Sequence, residues 1–121
     1  MKNYCRNRVI FYAGNSTQVT LAKLFIALSG QEQNAVDRLA PPFTTMSGFP
    51  YRNIRWSFEE SVAYYETMHS PNFNELIKLA DFYGCAFECT YSIPESTMFG
   101  RTLYNKGIIT HDRPQQTDGN Q

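Results

Sequence analysis

Three cysteines and two histidines are the side chains best suited to metal binding or nucleophilic chemistry in this chain of 121 residues. Cys85 and Cys89 have a spacing found in zinc sites, but a tetrahedral site needs four ligands. The sequence offers no second pair, because Cys5, His69 and His111 are isolated. In a strand, Cys85 and Cys89 lie on one face about 13 Å apart, too far for one metal or a disulfide. We therefore predict core packing for these thiols, with no metal and no cofactor.

The remaining polar pairs do not form a catalytic pattern. Glu59 and Glu60 are neighbours at a predicted turn, whereas paired catalytic carboxylates face each other across a cleft. The stretch "GNST", 14–17, has one glycine and no following lysine, so both phosphate-binding fingerprints are absent. His69 precedes a helix and is interpreted as a capping or surface residue, since no nucleophile can be nominated beside it. We predict that the protein is not an enzyme.

Composition limits the class of protein further. Lysine and arginine together number 11, as do aspartate and glutamate, which argues against a general binder of polyanions. The chain is 42% hydrophobic and 15% aromatic, enough for one folded domain. The start, "MKNYCRNRVIFYAG", has no uninterrupted apolar core like that of a secretory signal. No apolar run approaches the ~20 residues that span a bilayer, so we expect a cytoplasmic protein with reduced thiols.

The first elements are a strand and a helix. Residues 7–13 are rich in β-branched and aromatic side chains, which favours a strand. Ser16 is a suitable N-cap for a helix over 17–29, and Gly30 suits the left-handed position that ends it. Apolar residues recur at helical spacing along this segment and predict its buried face: Leu21, Leu24, Phe25 and Leu28.

The middle of the chain combines a short helix, a long loop and a hairpin. Residues 31–40 are compatible with a short helix that buries Val36 and Leu39. Prolines and a glycine exclude regular structure from 41–50, which we predict to be a long surface loop. Two strands follow, 51–58 and 62–68, joined by a turn at 59–61. In the first of them, alternation places three side chains on one face: Ile54, Trp56 and Phe58.

The last third of the chain predicts a helix and a strand. Ser70 is the expected N-cap, Pro71 suits the first helical position and Gly84 the helix end. A strand follows at 85–93, and 101–109 is compatible with a fifth, outer strand. We predict one domain over 1–110 and a disordered polar tail over 111–121.

The order strand, helix, strand, strand, helix, strand predicts an α+β fold. It is typical of the ferredoxin-like β-α-β-β-α-β sandwich, an antiparallel sheet with two helices on one face. Right-handed connections would place the first and third strands side by side, with the fourth antiparallel to the first. The other face of the sheet would stay uncovered.

Three segments also resemble a family of small uncharacterised proteins carried by plasmids, phages and pathogenicity islands. These segments are "NYCRNRVIFYAG", "YYETMHSPNFNELIKLADFYG" and "FECTYSIPESTMFGRTLY", and the resemblance covers 3–30 and 56–104. The middle region is shorter here than in that family. The resemblance implies a ferredoxin-like domain and a setting on mobile DNA, and it brings no established chemistry.

From this setting we expect protein–protein binding, as in an inhibitor of host defence of the anti-CRISPR or anti-restriction type. The partner would be a host or element protein, and a homodimer is compatible with the sequence. Tyrosine and arginine are frequent anchors of interfaces. The predicted partner-binding residues lie on the uncovered sheet face and the 41–50 loop: Tyr12, Phe43, Phe49, Tyr51, Arg52 and Tyr64. The alternative is an RNA or single-strand binder that stacks bases on Tyr12, Tyr64 and Tyr65, although the RNA-recognition signature is absent.

Overall fold

A computed structural model describes residues 4–39, 52–68 and 70–116. Within these ranges the chain forms six strands and three helices. In order they are β1 (Tyr4–Tyr12), α1 (Asn15–Ser29), α2 (Gln33–Leu39), β2 (Arg52–Ser57), β3 (Val62–Met68), α3 (Phe73–Tyr83), β4 (Ala86–Ile93), β5 (Met98–Asn105) and β6 (Ile108–Gln116). A 3-10 turn, Pro94–Ser96, joins β4 to β5.

The six strands form one antiparallel sheet in the order β2-β3-β1-β4-β5-β6. The predicted pairings of the first strand with the third and the fourth are confirmed. The predicted α+β class is confirmed as well. The ferredoxin-like assignment is not established, because β5 and β6 extend the sheet beyond the four strands of that sandwich and α2 is a third helix.

The C-terminal region differs most from the prediction. Residues 101–109 were expected to form one outer strand, but they contain the turn of a β5–β6 hairpin. Lys106 and Gly107 form this turn with φ values of 50° and 83°, as a type I′ turn requires. Residues through Gln116 lie in β6, so the predicted tail 111–121 begins as a strand. An outermost strand needs no continuous apolar pattern, which is why its sequence resembles a tail.

The core lies between one face of the sheet and the helices. In β1 the buried side chains alternate with more exposed ones. The four predicted apolar residues of α1 are buried, as is Val36 of α2. Aromatic rings fill the centre, where Phe25 contacts Phe11, Trp56 and Tyr65 at centroid distances of 6.0 to 6.1 Å. This face therefore carries most of the hydrophobic stabilisation.

Helix ends depart from the predicted caps. Helix α1 begins at Asn15 after Gly14, so Ser16 lies in the first turn and is not the N-cap. Gly30 has a φ of −87°, and Gln31 adopts the left-handed conformation instead. These prediction errors arise because capping residues tolerate a shift of one or two positions.

At α3 the predicted start is also wrong. The N-cap position is Asn72, two residues after the predicted Ser70, and Pro71 precedes the helix. The side chain of Asn72 accepts a hydrogen bond from the Tyr65 hydroxyl at 2.5 Å, a long-range contact that no local pattern reveals. The helix end is as predicted, because Gly84 has a φ of 67°.

Strand β2 is shorter than predicted and irregular. Trp56 is buried as expected, but Phe58 lies in the turn with 73% of its surface exposed. A register shift between Arg52 and Arg55, with Asn53 at a positive φ, interrupts the pairing with β3. The predicted 41–50 loop lies outside the described residues.

Candidate interface on the open face of the sheet

The face of the sheet opposite the helices carries the outward-pointing residues of every strand. We call it the open face. On β1 the open face consists of every second residue from Tyr4 to Tyr12. The strand register then places the facing residues of β3 and β2 beside them, since Arg6 pairs with Glu66 and Arg8 with Tyr64. The polar and aromatic residues used below are Tyr4, Arg6, Arg8, Tyr12, Arg52, Arg55, Tyr64, Glu66, Glu88, Arg101 and Asp112.

One cluster joins the start of β1 to β2 and β3. The guanidinium carbon of Arg52 lies 3.4 Å from the centroid of the Tyr4 ring, a cation–π contact. Arg52 Nε also lies 2.7 Å from Glu66 Oε1, and Arg6 Nε lies 3.9 Å from the other Glu66 oxygen. Glu66 therefore accepts a hydrogen bond from Arg52 and forms an ion pair with Arg6, while Arg52 also covers an aromatic ring.

A second cluster surrounds Tyr64. The guanidinium carbon of Arg55 lies 4.0 Å above its ring. Arg8 Nε donates to the Tyr64 hydroxyl at 3.3 Å, and this hydroxyl donates to Glu60 at 2.5 Å. The hydrogen bond to Tyr64 raises the pKa of Arg8 above its ordinary value. Two arginines are thus held in place by one tyrosine.

The third cluster crosses the other half of the sheet. The Tyr12 hydroxyl donates to Glu88 at 2.7 Å, which raises the pKa of Tyr12. Arg101 links Glu88, at 3.5 Å, to Asp112, at 3.1 Å. Tyr12 nevertheless keeps 52% of its surface exposed. Its ring is therefore accessible while its hydroxyl is held.

Charge on the open face is close to balanced. The arginines of the three clusters are Arg6, Arg8, Arg52, Arg55 and Arg101, and their carboxylate neighbours are Glu60, Glu66, Glu88 and Asp112. Such exposed pairs add little to folding stability. Together they hold long side chains in one arrangement across several strands.

Three of the predicted partner-binding residues lie on this face: Tyr12, Arg52 and Tyr64. Tyr12 lies four residues along β1 from the residue that pairs with Tyr64, which is about 13 Å. Phe43, Phe49 and Tyr51 lie outside the described residues. Tyr65 was expected to be exposed but is buried on the helix side, because adjacent residues of a strand point to opposite faces.

Sequence reasoning missed several members of these clusters, above all Tyr4, Glu88, Arg101 and Asp112. A usable signal was present in the period-two series that runs from Tyr4 through Arg6 and Arg8 to Tyr12. The predicted strand begins at residue 7, so it leaves out Tyr4, the first member of the series. Arg101 and Asp112 became neighbours only through the β5–β6 pairing.

The cysteines lie on the other face, in or beside the core. Cys5 and Cys89 are fully buried, and both thiols point to Asn7 Oδ1, at 3.6 and 3.9 Å. Burial raises the pKa of Cys5 to about 11 and raises that of Cys89 as well. Cys85 is half-buried just before β4, and burial raises its pKa too. Thiols of this kind are poor nucleophiles because the thiolate is scarce at neutral pH.

Asn7 organises a buried polar cluster next to these thiols. Its amide nitrogen donates to the carbonyls of Cys5 and Tyr65 and to the Thr67 hydroxyl, at 3.0 to 3.3 Å. A cleft of about 280 Å³ lies beside Thr67, between the end of β3 and the start of α3. Asn7 and Thr67 bond to each other and to backbone carbonyls, so we interpret this cluster as a support of the fold and not as a binding site.

Of the two histidines, His69 lies outside the described residues. His111 on β6 shares a hydrogen bond of 2.8 Å with the buried Thr102 hydroxyl and packs against the Phe73 ring. In the described ranges, no three His, Cys, Asp or Glu side chains are grouped so that they could hold a metal ion. None of the helices in these ranges is long and apolar enough to cross a membrane.

Comparisons of this chain with models of known protein families, with curated proteins and with solved structures found no match. The interpretation of the open face therefore depends on its own geometry.

Proposed function

We propose that this protein is a non-enzymatic accessory protein that acts by binding another protein through the open face. The observation that carries the proposal is the set of tyrosines and arginines joined across β2, β3 and β1. These residue types are enriched in interfaces and among the side chains that dominate binding. Arg52 and Arg55 are already ordered by ring stacking, so binding immobilises less side-chain freedom.

The charge pattern favours a protein partner. Arginines and carboxylates alternate on the open face, with both signs present in every cluster. Such a surface complements another mixed surface, since like charges placed opposite each other cost free energy. A polyanion would instead meet Glu66 and Glu88, which lie between the arginines.

The resemblance of three segments to proteins of plasmids, phages and pathogenicity islands suggests the setting. We interpret the order β2-β3-β1-β4 as a ferredoxin-like arrangement that β5 and β6 extend. The partner in this proposal is a host or element protein in the cytoplasm. Inhibition of a host defence system, of the anti-CRISPR or anti-restriction type, is the activity that fits a small protein acting by binding alone.

The alternative is a binder of RNA or single-stranded DNA on the same face. Five arginines on one sheet face favour it. Base stacking, however, needs accessible aromatic rings. Of the three rings expected to stack bases, that of Tyr64 is covered by Arg55 and Tyr65 is buried, which leaves Tyr12 accessible. A single accessible ring offers little for stacking successive bases, which supports the protein-binding proposal over the alternative.

Affinity capture from host lysate, with and without nuclease, tests the proposal. A partner identified by mass spectrometry and purified should bind the wild-type chain after nuclease treatment. Arg52→Ala and Tyr64→Ala should each weaken binding about tenfold or more, as at an anchor residue. Arg38→Ala, an exposed arginine on α2, is the matched control and should bind like the wild type.

Two results would contradict the proposal. Capture that disappears with nuclease, together with salt-dependent binding of purified RNA, would favour the alternative. Binding of the purified partner that neither open-face substitution changes would place the interface elsewhere on the molecule.

A further inference from the structure

The two outer strands of the sheet are β2 on one side and β6 on the other. An outer strand presents backbone N–H and C=O groups that can pair with a further strand. Proteins commonly block such an edge with a bulge, with charge or with proline. The two edges of this sheet are blocked to different extents.

The β2 edge is interrupted. It has six residues, and its register shifts between Arg52 and Arg55, where Asn53 has a positive φ. A bulge of this kind bends the strand and breaks a regular row of backbone groups. The β2 edge therefore offers no straight segment for pairing.

The β6 edge is regular over its first five residues. From Ile108 to Asp112 each residue pairs in continuous register with β5. The register shifts only beyond Asp112, and Pro114 lies in that shifted stretch. Ile108 keeps 70% of its surface exposed and Ile109 is exposed as well. A regular segment of five residues, which begins with two exposed isoleucines, thus ends at a bulge with a proline.

The turn determines which backbone groups of β6 point outwards. In a two-residue hairpin the closing pair, here Asn105 and Ile108, exchanges both hydrogen bonds. Hydrogen-bonded and non-hydrogen-bonded pairs then alternate along the ladder. The N–H and C=O groups of Ile109 and His111 therefore face away from β5, on the outer edge.

We propose that a second copy of this chain pairs antiparallel with β6, with Thr110 on the two-fold axis. In this register Ile109 lies opposite His111 of the second copy, and these residues exchange their outward backbone hydrogen bonds. The symmetry repeats the exchange on the other side of the axis. Threonine lies directly opposite threonine, a favourable cross-strand pair.

The regular segment itself selects this register. Centring the axis on Thr110 pairs residues 108–112 of one copy with 112–108 of the other, so all five regular residues are used. Centring it on His111 would place Ile109 opposite Arg113, beyond the register shift. Centring it on Ile109 would use only three residues. Residues 108–112 of one copy therefore match the same residues of the second copy in length and in hydrogen-bonding pattern.

The resulting dimer keeps the open face free. A two-fold axis perpendicular to the sheet places both open faces on the same side, next to each other. The pairing extends beyond the proposed function and does not depend on it, because it uses the backbone edge. Five residues a side form a small interface, so the dimer should be weak and dependent on concentration.

Sedimentation of the full chain between about 10 µM and about 1 mM tests the proposal in a range suited to a weak interface. The mean mass should rise from one chain towards two. Ile109→Lys places a charge on the edge and should shift the dimer to at least tenfold higher concentration. Val19→Lys, the same kind of change at an exposed apolar residue of α1, is the matched control and should dimerise like the wild type.

A cysteine scan tests the register even if Ile109→Lys disturbs the fold. Across a non-hydrogen-bonded pair the Cα atoms are about 4.5 Å apart, within the range of a disulfide. Thr110→Cys should therefore form a covalent dimer under mild oxidation. Ile108→Cys should not, because its symmetry mates would be about 13 Å apart. The wild-type chain, whose Cys5 and Cys89 are buried, is the background control.

Three outcomes would overturn the proposal. The first is a single-chain mass over the whole concentration range. The second is a dimer that forms equally with Ile109→Lys. The third is equal cross-linking through positions 110 and 108. Hydrogen exchange gives an independent check, since the Ile109 and His111 amides should slow as concentration rises. Slowing that appears only when a different protein is added would assign this edge to that protein and not to a second copy.

Discussion

The same strands form two faces of the sheet, one lined by apolar side chains and the other by charged and aromatic ones. On the helix side of β1, Val9 and Phe11 are buried among apolar side chains of α1 and β4. On the open face, Arg6 and Arg8 alternate with them and contact charged or phenolic groups. Apolar burial is worth about 25 cal/mol per Å², whereas an exposed ion pair adds about 0–1 kcal/mol. The helix side should therefore determine stability, and the open face is available for recognition.

The strongest test of this comparison is removal of a central aromatic side chain. Phe25→Ala deletes a ring that contacts Phe11, Trp56 and Tyr65. The free energy of unfolding should fall by about 3–5 kcal/mol, because burial is lost and a cavity remains. Tyr12→Ala on the open face should lower it by less than about 1 kcal/mol. Similar losses in urea titrations of the two variants would contradict the assignment of stability to the helix side.

A smaller effect is expected at Gly100 on β5. A Cβ built there would lie 2.6 Å from the Tyr91 hydroxyl oxygen, and the Tyr91 ring is packed against Phe73. Gly100→Ala should lower the free energy of unfolding by about 1–3 kcal/mol, as overpacking does. Gly14→Ala is the control, because a Cβ at Gly14 meets no atom within 4 Å. Equal thermal stability of the two variants would show that the Tyr91 ring moves away without cost.

The buried polar cluster should be comparably sensitive. Asn7→Ala removes an amide that donates to Thr67 and to two carbonyls, so buried acceptors lose their donor. The expected loss in the free energy of unfolding is about 1–3 kcal/mol. Asn34→Ala on the exposed surface of α2 should change it by less than about 0.5 kcal/mol. If chemical denaturation gave the same free energy of unfolding for Asn7→Ala and the wild type, water would have replaced the lost amide.

Alkaline pH should weaken the helix side through its buried thiols. Cys5 has a pKa of about 11 in the folded chain, above its ordinary value of 9.0. The unfolded chain therefore loses this proton first, and the free energy of unfolding falls as pH rises from about 9 to about 11. Cys5→Ala should show a shallower fall, because this thiol no longer contributes. Some fall should remain, because burial also raises the pKa of Cys89 and Tyr91. An unchanged slope in this variant would show that the thiol does not contribute.

The smallest effect on stability is expected on the open face itself. Arg55→Ala removes the guanidinium that stacks on Tyr64, at a cost of about 0.5–1 kcal/mol. The ring of Tyr64 should then become more accessible, which tyrosine fluorescence can follow while thermal denaturation reports stability. A loss above about 2 kcal/mol would mean that the open face contributes to stability as the helix side does.

Local patterns predicted the elements that have strong periodicity. The apolar stripe of α1 and the strand β3 over 62–68 are as expected, because one buried face imposes a regular spacing. The left-handed Gly84 is also as expected. Predictions of helix starts were less accurate, since Ser16 and Ser70 compete with neighbouring residues that can begin a helix equally well.

The candidate site was predicted only in part. Tyr12, Arg52 and Tyr64 could be placed on one face from strand alternation and the expected pairing of β1 with β3. Their charged partners could not, because Glu88 meets Tyr12 from a strand 76 residues later in the sequence. The β5–β6 hairpin was also missed, although "NKG" at 105–107 is compatible with the type I′ turn that forms there.

The sequence by itself determined which residues are buried in α1 and which face of β4 packs inward, since period and apolar character decide which face of an element avoids water. It also determined that the thiols pack in or beside the core. Only the tertiary structure decided the order of six strands, the contact of Arg101 with Glu88 and Asp112, and which strands lie at the edges. These features depend on pairing between segments far apart in the chain, which local patterns do not encode because antiparallel register is set by the whole sheet.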